Sequence, residues 1–317
     1  MTLQFGLLVP QGWTMELAGI TDPVEAYETM TRVAQTAEEV GFASVWLVDH
    51  FHTIPQPSQE ATFECWTSTA ALARDTNTIR IGQMVTCNSY RHPALLAKMA
   101  STVDVLSNGR LTLGIGAGWN EQEYRAYGYG EAYPDAPQRL RQLREAVQVI
   151  LAMWQEQEIH FEGDSYHVQG AINQPKGVQL PHVPLLIGGD GEQVTLKLVA
   201  QYADACNVGD DPDTVTHKLA VLQQHCERVG RDYAHIRRTS STLCLIADSD
   251  EQALARLPAD RKAGLEPRVQ TALIGSPETI RHRLAAYEAA GVQELVLRFV
   301  NGTELNAIRR FASEFIA

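Results

Sequence analysis

The sequence predicts an α/β protein built as a (β/α)8 TIM barrel, and two features of the chain lead to that prediction. Short apolar segments alternate with amphipathic helical segments along all 317 residues, and no Pro- or Ser-rich linker divides them. Parallel strands need a long return connection, usually a helix, so this alternation predicts a parallel sheet. Eight strand–helix units favour a closed barrel, with an open doubly wound sheet as the alternative.

Eight segments are predicted strands because each is short, apolar and rich in β-branched or aromatic side chains. A strand that helices cover on both faces forms a continuous apolar run, as residues 44–48 do. In chain order, the predicted strands are 3–9, 44–48, 79–85, 111–115, 184–187, 203–208, 236–246 and 294–299.

The segments between these strands carry helix start and stop signals. Asp22 followed by Pro23 predicts a cap with proline in the first turn, and Gly41 predicts the end of that helix. The other predicted helices span 93–106, 138–154, 193–201, 212–229 and 277–290.

Two segments depart from the alternation, and we expect them to be insertions within a single domain of residues 1–317. Segment 156–180 contains IHFEGDSYHV, in which Glu162-Gly163-Asp164 separates two short strand patterns and predicts a hairpin. Segment 258–275 has no clear period and is predicted to be irregular.

Charge and composition indicate which partners to expect. A net charge of −12 argues against nucleic acid or an anionic membrane surface. No run approaches ~18 consecutive apolar residues, and the start MTLQFGLLVPQGW lacks the basic region of a signal peptide. Five cysteines without a C-x-x-C argue against a zinc ribbon or a disulfide framework. We therefore expect a cytoplasmic protein whose partner is neither nucleic acid nor a membrane.

The stretch SVWLVDHF runs a buried strand directly into titratable side chains. Asp49 and His50 follow the strand, and His52 comes two residues later. In a barrel, the C-terminal ends of the strands form the mouth where reactive groups lie. His50 and His52 could bind a metal, but the other strand ends offer too few further ligands, so we expect no metal site. Asp49 could instead tune the basicity of His50.

Glycines follow two further strands. Gly114, Gly116 and Gly118 in LGIGAGW lack the G-x-G-x-x-G spacing of a dinucleotide turn, and they predict either the close approach of a flat ligand or a tight turn.

The second glycine-rich loop lies in PLLIGGDGEQVT. Gly188, Gly189 and Gly191 precede a predicted helix, which is the pattern of a phosphate-binding loop, with a plain turn as the alternative. If the loop binds an anion, the Asp190 carboxylate should point away from it.

Four stretches together resemble the luciferase-like monooxygenase superfamily, in particular its branch of oxidoreductases that depend on the deazaflavin coenzyme F420. They are GFASVWLVDHF, IRIGQMVTCNSYRHPALLAKMASTVDVLSNGRLTLGIGAGWNEQEYRAYG, PLLIGGDGE and LIGSPETIRHRLAAYEAAGVQELVL. The resemblance covers nearly the whole chain. It implies a (β/α)8 barrel with the cofactor ring in the mouth.

The resemblance also implies roles for particular residues. His50 would donate or accept a proton beside Asp49, and a non-proline cis peptide would follow the third strand and support the ring. The catalytic residues would be His50 and Asp49, and the cofactor-binding residues would be Met84, Val85, Thr86, Cys87, Asn88, Gly116, Gly118, Trp119, Gly188, Gly189 and Gly191.

The function implied is hydride transfer between C5 of reduced F420 and a small electrophilic substrate. Three alternatives stay open: an FMN-dependent monooxygenase that uses O2, a metal-dependent barrel hydrolase and a non-catalytic flavin-binding protein. The resemblance further implies a homodimer and a separate cofactor reductase. Sugar-phosphate dehydrogenases of the family carry a lysine where this chain has Gly209-Asp210-Asp211, which argues against a phosphorylated sugar as substrate.

Overall fold

A computed structural model describes residues 3–257 and 270–316. Its strands within those ranges are β1 (Gln4–Leu8), β2 (Ser44–Leu47), β3 (Arg80–Gln83), β4 (Thr86–Cys87), β5 (Leu111–Gly116), β6 (Ile159–Glu162), β7 (His167–Ala171), β8 (Leu185–Gly188), β9 (Ala205–Asn207), β10 (Arg237–Ile246), β11 (Leu273–Gly275) and β12 (Glu294–Phe299).

Eight of these strands close into a parallel barrel. The order around the barrel is β1, β2, β3, β5, β8, β9, β10 and β12, which returns to β1. Pairing of Arg237 with Ala205 joins β10 to β9 and completes the closure. The predicted (β/α)8 barrel is therefore confirmed, and the open sheet is excluded. Each predicted barrel strand corresponds to an observed one.

Helices surround the barrel: α1 (Pro23–Glu39), α2 (Cys65–Asp75), α3 (Pro93–Leu106), α4 (Glu121–Ala126), α5 (Ala136–Gln155), α6 (Thr195–Tyr202), α7 (Pro212–Val229), α8 (Asp250–Arg256), α9 (Pro277–Ala289) and α10 (Leu305–Phe315). The start of α1 follows the predicted signal, since the Asp22 carboxylate accepts a hydrogen bond from the Val24 N–H and Pro23 opens the helix. None of the helices within the described ranges is long and apolar enough to cross a membrane.

The core has two layers. The larger layer packs the outer faces of the strands against the helices, with Leu7, Val45 and Leu113 among its buried residues. A smaller cluster, which includes Leu8 and Trp46, fills the inside of the barrel. Leu7 and Leu8 thus face opposite sides of one strand, as the two-residue period of a β-strand requires.

The strands depart from the predicted pattern in two places. The third strand ends at Gln83, and the two-residue β4 resumes pairing with β5 after an interruption at residues 84 and 85. In segment 156–180, where a hairpin is predicted, β6 and β7 pair antiparallel. Of segment 258–275, residues 258–269 lie outside the described residues, and Leu273–Gly275 forms β11 beside the end of β10 instead of an irregular loop.

Candidate active site

Three cavities at the C-terminal end of the barrel share lining residues and form one mouth. The large cavity, of about 440 Å³, lies beside Trp13, Asn207 and Arg298. The glycine cavity, of about 370 Å³, lies between Gly188 and Trp119. The histidine cavity, of about 150 Å³, lies beside His50. Met84 lines all three cavities, so the segment between β3 and β4 lies at the centre of the mouth.

His50 is a largely buried imidazole at this mouth, as the sequence predicts. Its Nδ1 lies 2.9 Å from Oε2 of Glu123. The Trp13 ring stacks on the imidazole at a centroid distance of 4.9 Å and an interplanar angle of 7°, and Trp119 contacts it edge-on at 5.5 Å. One carboxylate and two indole rings therefore fix the position of His50.

Glu123 is a buried acidic residue beside His50 that sequence reasoning missed. Its side chain is completely buried and accepts hydrogen bonds from the Tyr90 hydroxyl at 2.9 Å and the Phe51 N–H at 2.8 Å, besides its contact with His50. Burial raises the pKa of Glu123, but the His50 ring and the other donors outweigh burial and hold that pKa below its usual value. Glu123 is therefore an ionised carboxylate inside the protein.

The local sequence signal at Glu123 indicates a different contact. Asn120 caps α4 and accepts hydrogen bonds from the Gln122 and Glu123 N–H groups. An acidic residue three positions after a cap is the spacing of a capping box, which predicts a helix start. The Glu123 side chain instead reaches His50, which is 73 positions away in sequence.

Asp49, the other predicted catalytic residue, is directed to different partners. Its carboxylate accepts hydrogen bonds from the Cys87 N–H at 2.9 Å and from two nitrogens of Arg91 at 2.6 and 3.0 Å. Arg91 also contacts Glu64, which caps α2. Burial raises the pKa of Asp49, and Arg91 and the Cys87 N–H oppose that effect. Asp49 thus anchors the segment after β3, and Glu123 occupies the place beside His50 that we predicted for Asp49.

The peptide bond between Met84 and Val85 is cis, as the family resemblance implies. The Val85 side chain fills space that Gly116 on β5 and Gly188 on β8 leave open. A Cβ on Gly116 or Gly188 would approach the Val85 methyl carbons to 2.8 and 2.9 Å, and a Cβ on Gly114 would meet the Gln83 carbonyl oxygen at 1.8 Å. Packing against Val85 is therefore a sufficient reason for glycine at 116 and 188, whereas the Gln83 backbone requires it at 114.

Two of the predicted cofactor-binding residues, Thr86 and Asn88, form hydrogen bonds with other side chains of the protein. Thr86 accepts a hydrogen bond from the Trp66 indole at 3.1 Å, and the Asn88 amide donates to the Tyr166 hydroxyl at 3.1 Å. Burial raises the pKa of the Cys87 thiol to about 12, so this thiol stays protonated at neutral pH. Cys87 also lies against the Gly118 backbone, where an added Cβ would come within 2.5 Å of its Sγ.

The glycine-rich loop after β8 leads into a helix without a side-chain cap. α6 begins at Thr195, two residues later than predicted, and its cap position Val194 contributes no side-chain hydrogen bond. Gly189 has a φ of +131°, and a Cβ on Gly191 would meet Thr195 Oγ1 at 2.7 Å. Asp190 accepts a hydrogen bond from the Gly209 N–H at 2.7 Å. The loop therefore enters α6 without a side-chain cap, and its acidic residue, Asp190, is hydrogen-bonded to the backbone of the loop after β9.

The large cavity has an apolar wall and a polar rim. Leu8, Val48, Leu243 and Val296 line it together with Asp190, Asn207, Asp210, Ser241 and Arg298. The Arg298 guanidinium lies 5.6 Å from the centre of the Trp13 ring, so it joins the group formed by Trp13 and His50. Over residues 3–257 and 270–316, no group of three or more His, Cys, Asp or Glu residues is arranged to hold a metal ion.

Comparisons with known proteins show which chains this sequence resembles. The family model for luciferase-like monooxygenases matches residues 3–267. An uncharacterised protein of Mycobacterium tuberculosis is 28% identical over 219 residues, which cover 64% of this chain and 76% of that protein. An F420-dependent glucose-6-phosphate dehydrogenase of Kineococcus radiotolerans is 26% identical over 315 residues, which cover 89% and 90% of the two chains.

A solved structure shows the same fold. An F420-dependent secondary alcohol dehydrogenase, in complex with an F420-acetone adduct, matches with a TM-score of 0.81 at 21% identity, covering 99% of this chain and 98% of the other.

Proposed function

This chain belongs to the luciferase-like monooxygenase family, and on that premise we propose that it is an F420-dependent oxidoreductase that acts on a small electrophilic organic substrate. The observation that carries the proposal is the position of His50: a largely buried imidazole, held by Glu123 and two tryptophans, faces a mouth large enough for a cofactor and a substrate. The sequence relatives that are named for a cofactor are named for F420, which favours F420 over FMN, while solved structures of the same fold occur with F420 and with FMN.

The mouth fits a cofactor that combines a flat ring with a phosphate. The uncapped start of α6 leaves its first backbone N–H groups without a side-chain acceptor, and Gly189 and Gly191 let an anion approach them. The glycine cavity continues from this loop to Val85 and Trp119. We propose that Gly188, Gly189 and Gly191 hold the phosphate and that the segment after β3 supports the ring.

The chain itself contributes binding, orientation and a proton. When bound, reduced F420 supplies the hydride from its C5 position. His50 donates or accepts the proton that accompanies the hydride, a step for which imidazole is well suited near neutral pH. Leu8, Val48 and Val296 supply apolar surface on the wall of the mouth.

The rim of the large cavity bears on the substrate class. Asp210 lines it, and Gly209-Asp210-Asp211 stands where sugar-phosphate dehydrogenases of the family carry a lysine. A carboxylate in place of that lysine repels a phosphate dianion instead of binding it. We therefore propose a non-phosphorylated substrate, such as an enone or an imine, whose apolar part packs on Leu8, Val48 and Val296.

The assembly and cellular context belong to the same proposal. We propose a cytoplasmic homodimer of single-domain subunits that receives its reduced cofactor from a separate reductase. The five free cysteines, four of them buried, are compatible with a reducing compartment. Light scattering of the purified protein measures the oligomeric state directly.

Titration with each cofactor tests the proposal. We expect F420 to bind and reduced F420 to be oxidised, as followed by its absorbance, when a panel of enones and imines is added. Tight FMN binding without measurable F420 binding would overturn the proposal in favour of the monooxygenase. Binding of F420 without turnover of any substrate would favour a non-catalytic binding protein.

A further inference from the structure

The carboxylate of Glu123 has acceptor contacts on both oxygens. Oε2 lies 2.9 Å from His50 Nδ1 and accepts the Tyr90 hydroxyl at 2.9 Å, while Oε1 accepts the Phe51 N–H at 2.8 Å. The side chain has no exposed surface, so water does not compete for these positions. The Phe51 N–H and the Tyr90 hydroxyl therefore orient the carboxylate independently of the His50 ring.

These contacts determine which nitrogen of His50 carries the proton. An ionised carboxylate can only accept hydrogen bonds, so an imidazole nitrogen 2.9 Å away must be protonated to bind it. The neutral ring then carries its proton on Nδ1 and its lone pair on Nε2. The Trp13 stack and the Trp119 edge contact restrain the ring plane, and a half-turn of the ring about its Cβ–Cγ bond would bring a C–H group, not Nε2, toward Glu123.

We infer that Glu123 is a positioning residue that keeps the Nδ1 proton on His50, so that Nε2 is the one ring atom that exchanges a proton with a molecule in the mouth. The inference rests on the proposed function only for the identity of that molecule. Which nitrogen of the His50 ring carries the proton follows from the contacts of Glu123 alone.

The proton balance is simple in both directions. When Nε2 takes a proton from the substrate, His50 becomes an imidazolium with both nitrogens protonated, and the Glu123 charge stabilises it. When Nε2 returns that proton, the Nδ1–H form is restored. Glu123 stays ionised throughout, because its donors hold its pKa below the usual value.

Glu123→Gln gives a specific and unusual expectation. The Phe51 N–H requires an acceptor, so the amide oxygen should take the place of Oε1 and the amide NH2 should face His50. Nδ1 must then accept a hydrogen bond, and the ring proton moves to Nε2. The variant would therefore carry the same ring in the other tautomer.

The matched control is another histidine–glutamate pair with the same atoms and a similar distance. His167 Nδ1 lies 2.8 Å from Glu162 Oε1, but both side chains are exposed on the β6–β7 hairpin. Water screens that pair and satisfies either tautomer. Glu162→Gln should therefore leave both His50 and turnover unchanged.

Nitrogen-15 NMR of the histidine rings in the full chain tests the inference, with His50→Asn used to assign the His50 signals. We expect the Nδ1–H tautomer at His50 in the parent protein and in Glu162→Gln, and the Nε2–H tautomer in Glu123→Gln. Turnover of Glu123→Gln should fall by ~10²-fold or more, as expected when a catalytic imidazole is held in the wrong tautomer, with cofactor affinity changed only a few-fold.

An Nε2–H tautomer at His50 in the parent protein overturns the inference even if Glu123→Gln fails to fold. An unchanged Nδ1–H tautomer in a folded Glu123→Gln protein also overturns it. If the tautomer changes as expected but the parent protein does not oxidise reduced F420, the proposed function fails and the role of Glu123 stands.

Discussion

Charged and titratable side chains have different surroundings at the two ends of the barrel. At the N-terminal end, Glu294 joins the first residues of two other strands beside a cavity of about 250 Å³: it lies 2.8 Å from Arg237 and also contacts Ser44 and the Trp46 indole. At the C-terminal end, His50 is bonded on one side and faces cavities on the other, and a helix begins without a cap. Charged groups that bond to one another favour stability, whereas an imidazole that faces the mouth of a barrel favours binding and chemistry. We expect substitutions at the first end to change stability and substitutions at the second end to change activity.

The largest expected effect is at the mouth. His50→Asn should lower kcat by ~10²–10⁴-fold, because it removes the group that exchanges the proton. Cofactor affinity should stay within a few-fold, since the imidazole acts on the reaction step and not on uniform binding.

His52→Asn provides the control for this substitution. The His52 ring contacts the Thr53 carbonyl at 3.1 Å instead of forming the close contact with Glu123 that His50 has. Near-normal turnover in His50→Asn would show that the proton comes from water or the substrate, and it would remove the main functional distinction between the two ends.

The next effect belongs to the N-terminal end. Glu294→Gln removes a buried carboxylate from Arg237 and Ser44, and we expect the free energy of unfolding to fall by about 2 kcal/mol, less than for a fully buried pair because Arg237 is partly exposed. Urea denaturation measures this change. Turnover of the folded variant should remain within a few-fold of the parent value, and a specific loss of turnover without loss of stability would contradict the comparison.

A third expectation concerns the phosphate loop. Gly189→Asp adds bulk and a negative charge at a position with φ of +131°, and cofactor affinity should fall by at least tenfold, or about 1.4 kcal/mol. Isothermal titration with F420 measures the change.

Gly230→Asp is the matched control for backbone strain. Gly230 also has a positive φ, +70°, is exposed, and caps α7 at the opposite end of the barrel. If both variants lose affinity equally, backbone strain is the cause, and the phosphate site must be placed elsewhere.

The smallest effect is a pH dependence at the N-terminal end. Partial burial would raise the pKa of Glu38, but hydrogen bonds from the backbone N–H groups of residues 77–79 and the Thr78 hydroxyl lower it to about 2. A lowered pKa stabilises the fold above the unfolded value near 4.5, and this contribution is lost as pH falls from about 5 to 2.

Because Glu38 is partly exposed, we expect its contribution to be about 1 kcal/mol. Glu38→Gln should lower the melting temperature at pH 7 and lessen the further decrease on acidification. The same decrease in the parent and the variant between pH 5 and pH 3 would show that Glu38 does not contribute.

The sequence predicts the barrel well because its strands are long enough to show a pattern. Segment 44–48 is apolar after its first residue, Ser44, and Pro93–Leu106 begins and ends at the predicted residues. β4 and β11 were missed, since two or three residues show no period. α2, which begins at a glutamate cap, was also missed.

The site was predicted less completely because its contacts join distant parts of the chain. His50 could be placed at the mouth from the end of one strand. Trp13 and Glu123 reach it from the loop after β1 and from α4, and no local pattern indicates either contact. Asp49 was a plausible partner because it is the neighbour of His50 in sequence, but its side chain is bonded to Arg91 and the Cys87 N–H.

The contact of Val85 with Gly116 and Gly188 has an evolutionary consequence. One side chain occupies the space that two separate positions on two strands must leave free. A mutation to alanine at either glycine should be accepted only after residue 85 becomes smaller or shifts. In related chains, we therefore expect these three positions to vary together, with the order of mutations constrained: a change at position 85 comes first, and loss of a glycine follows.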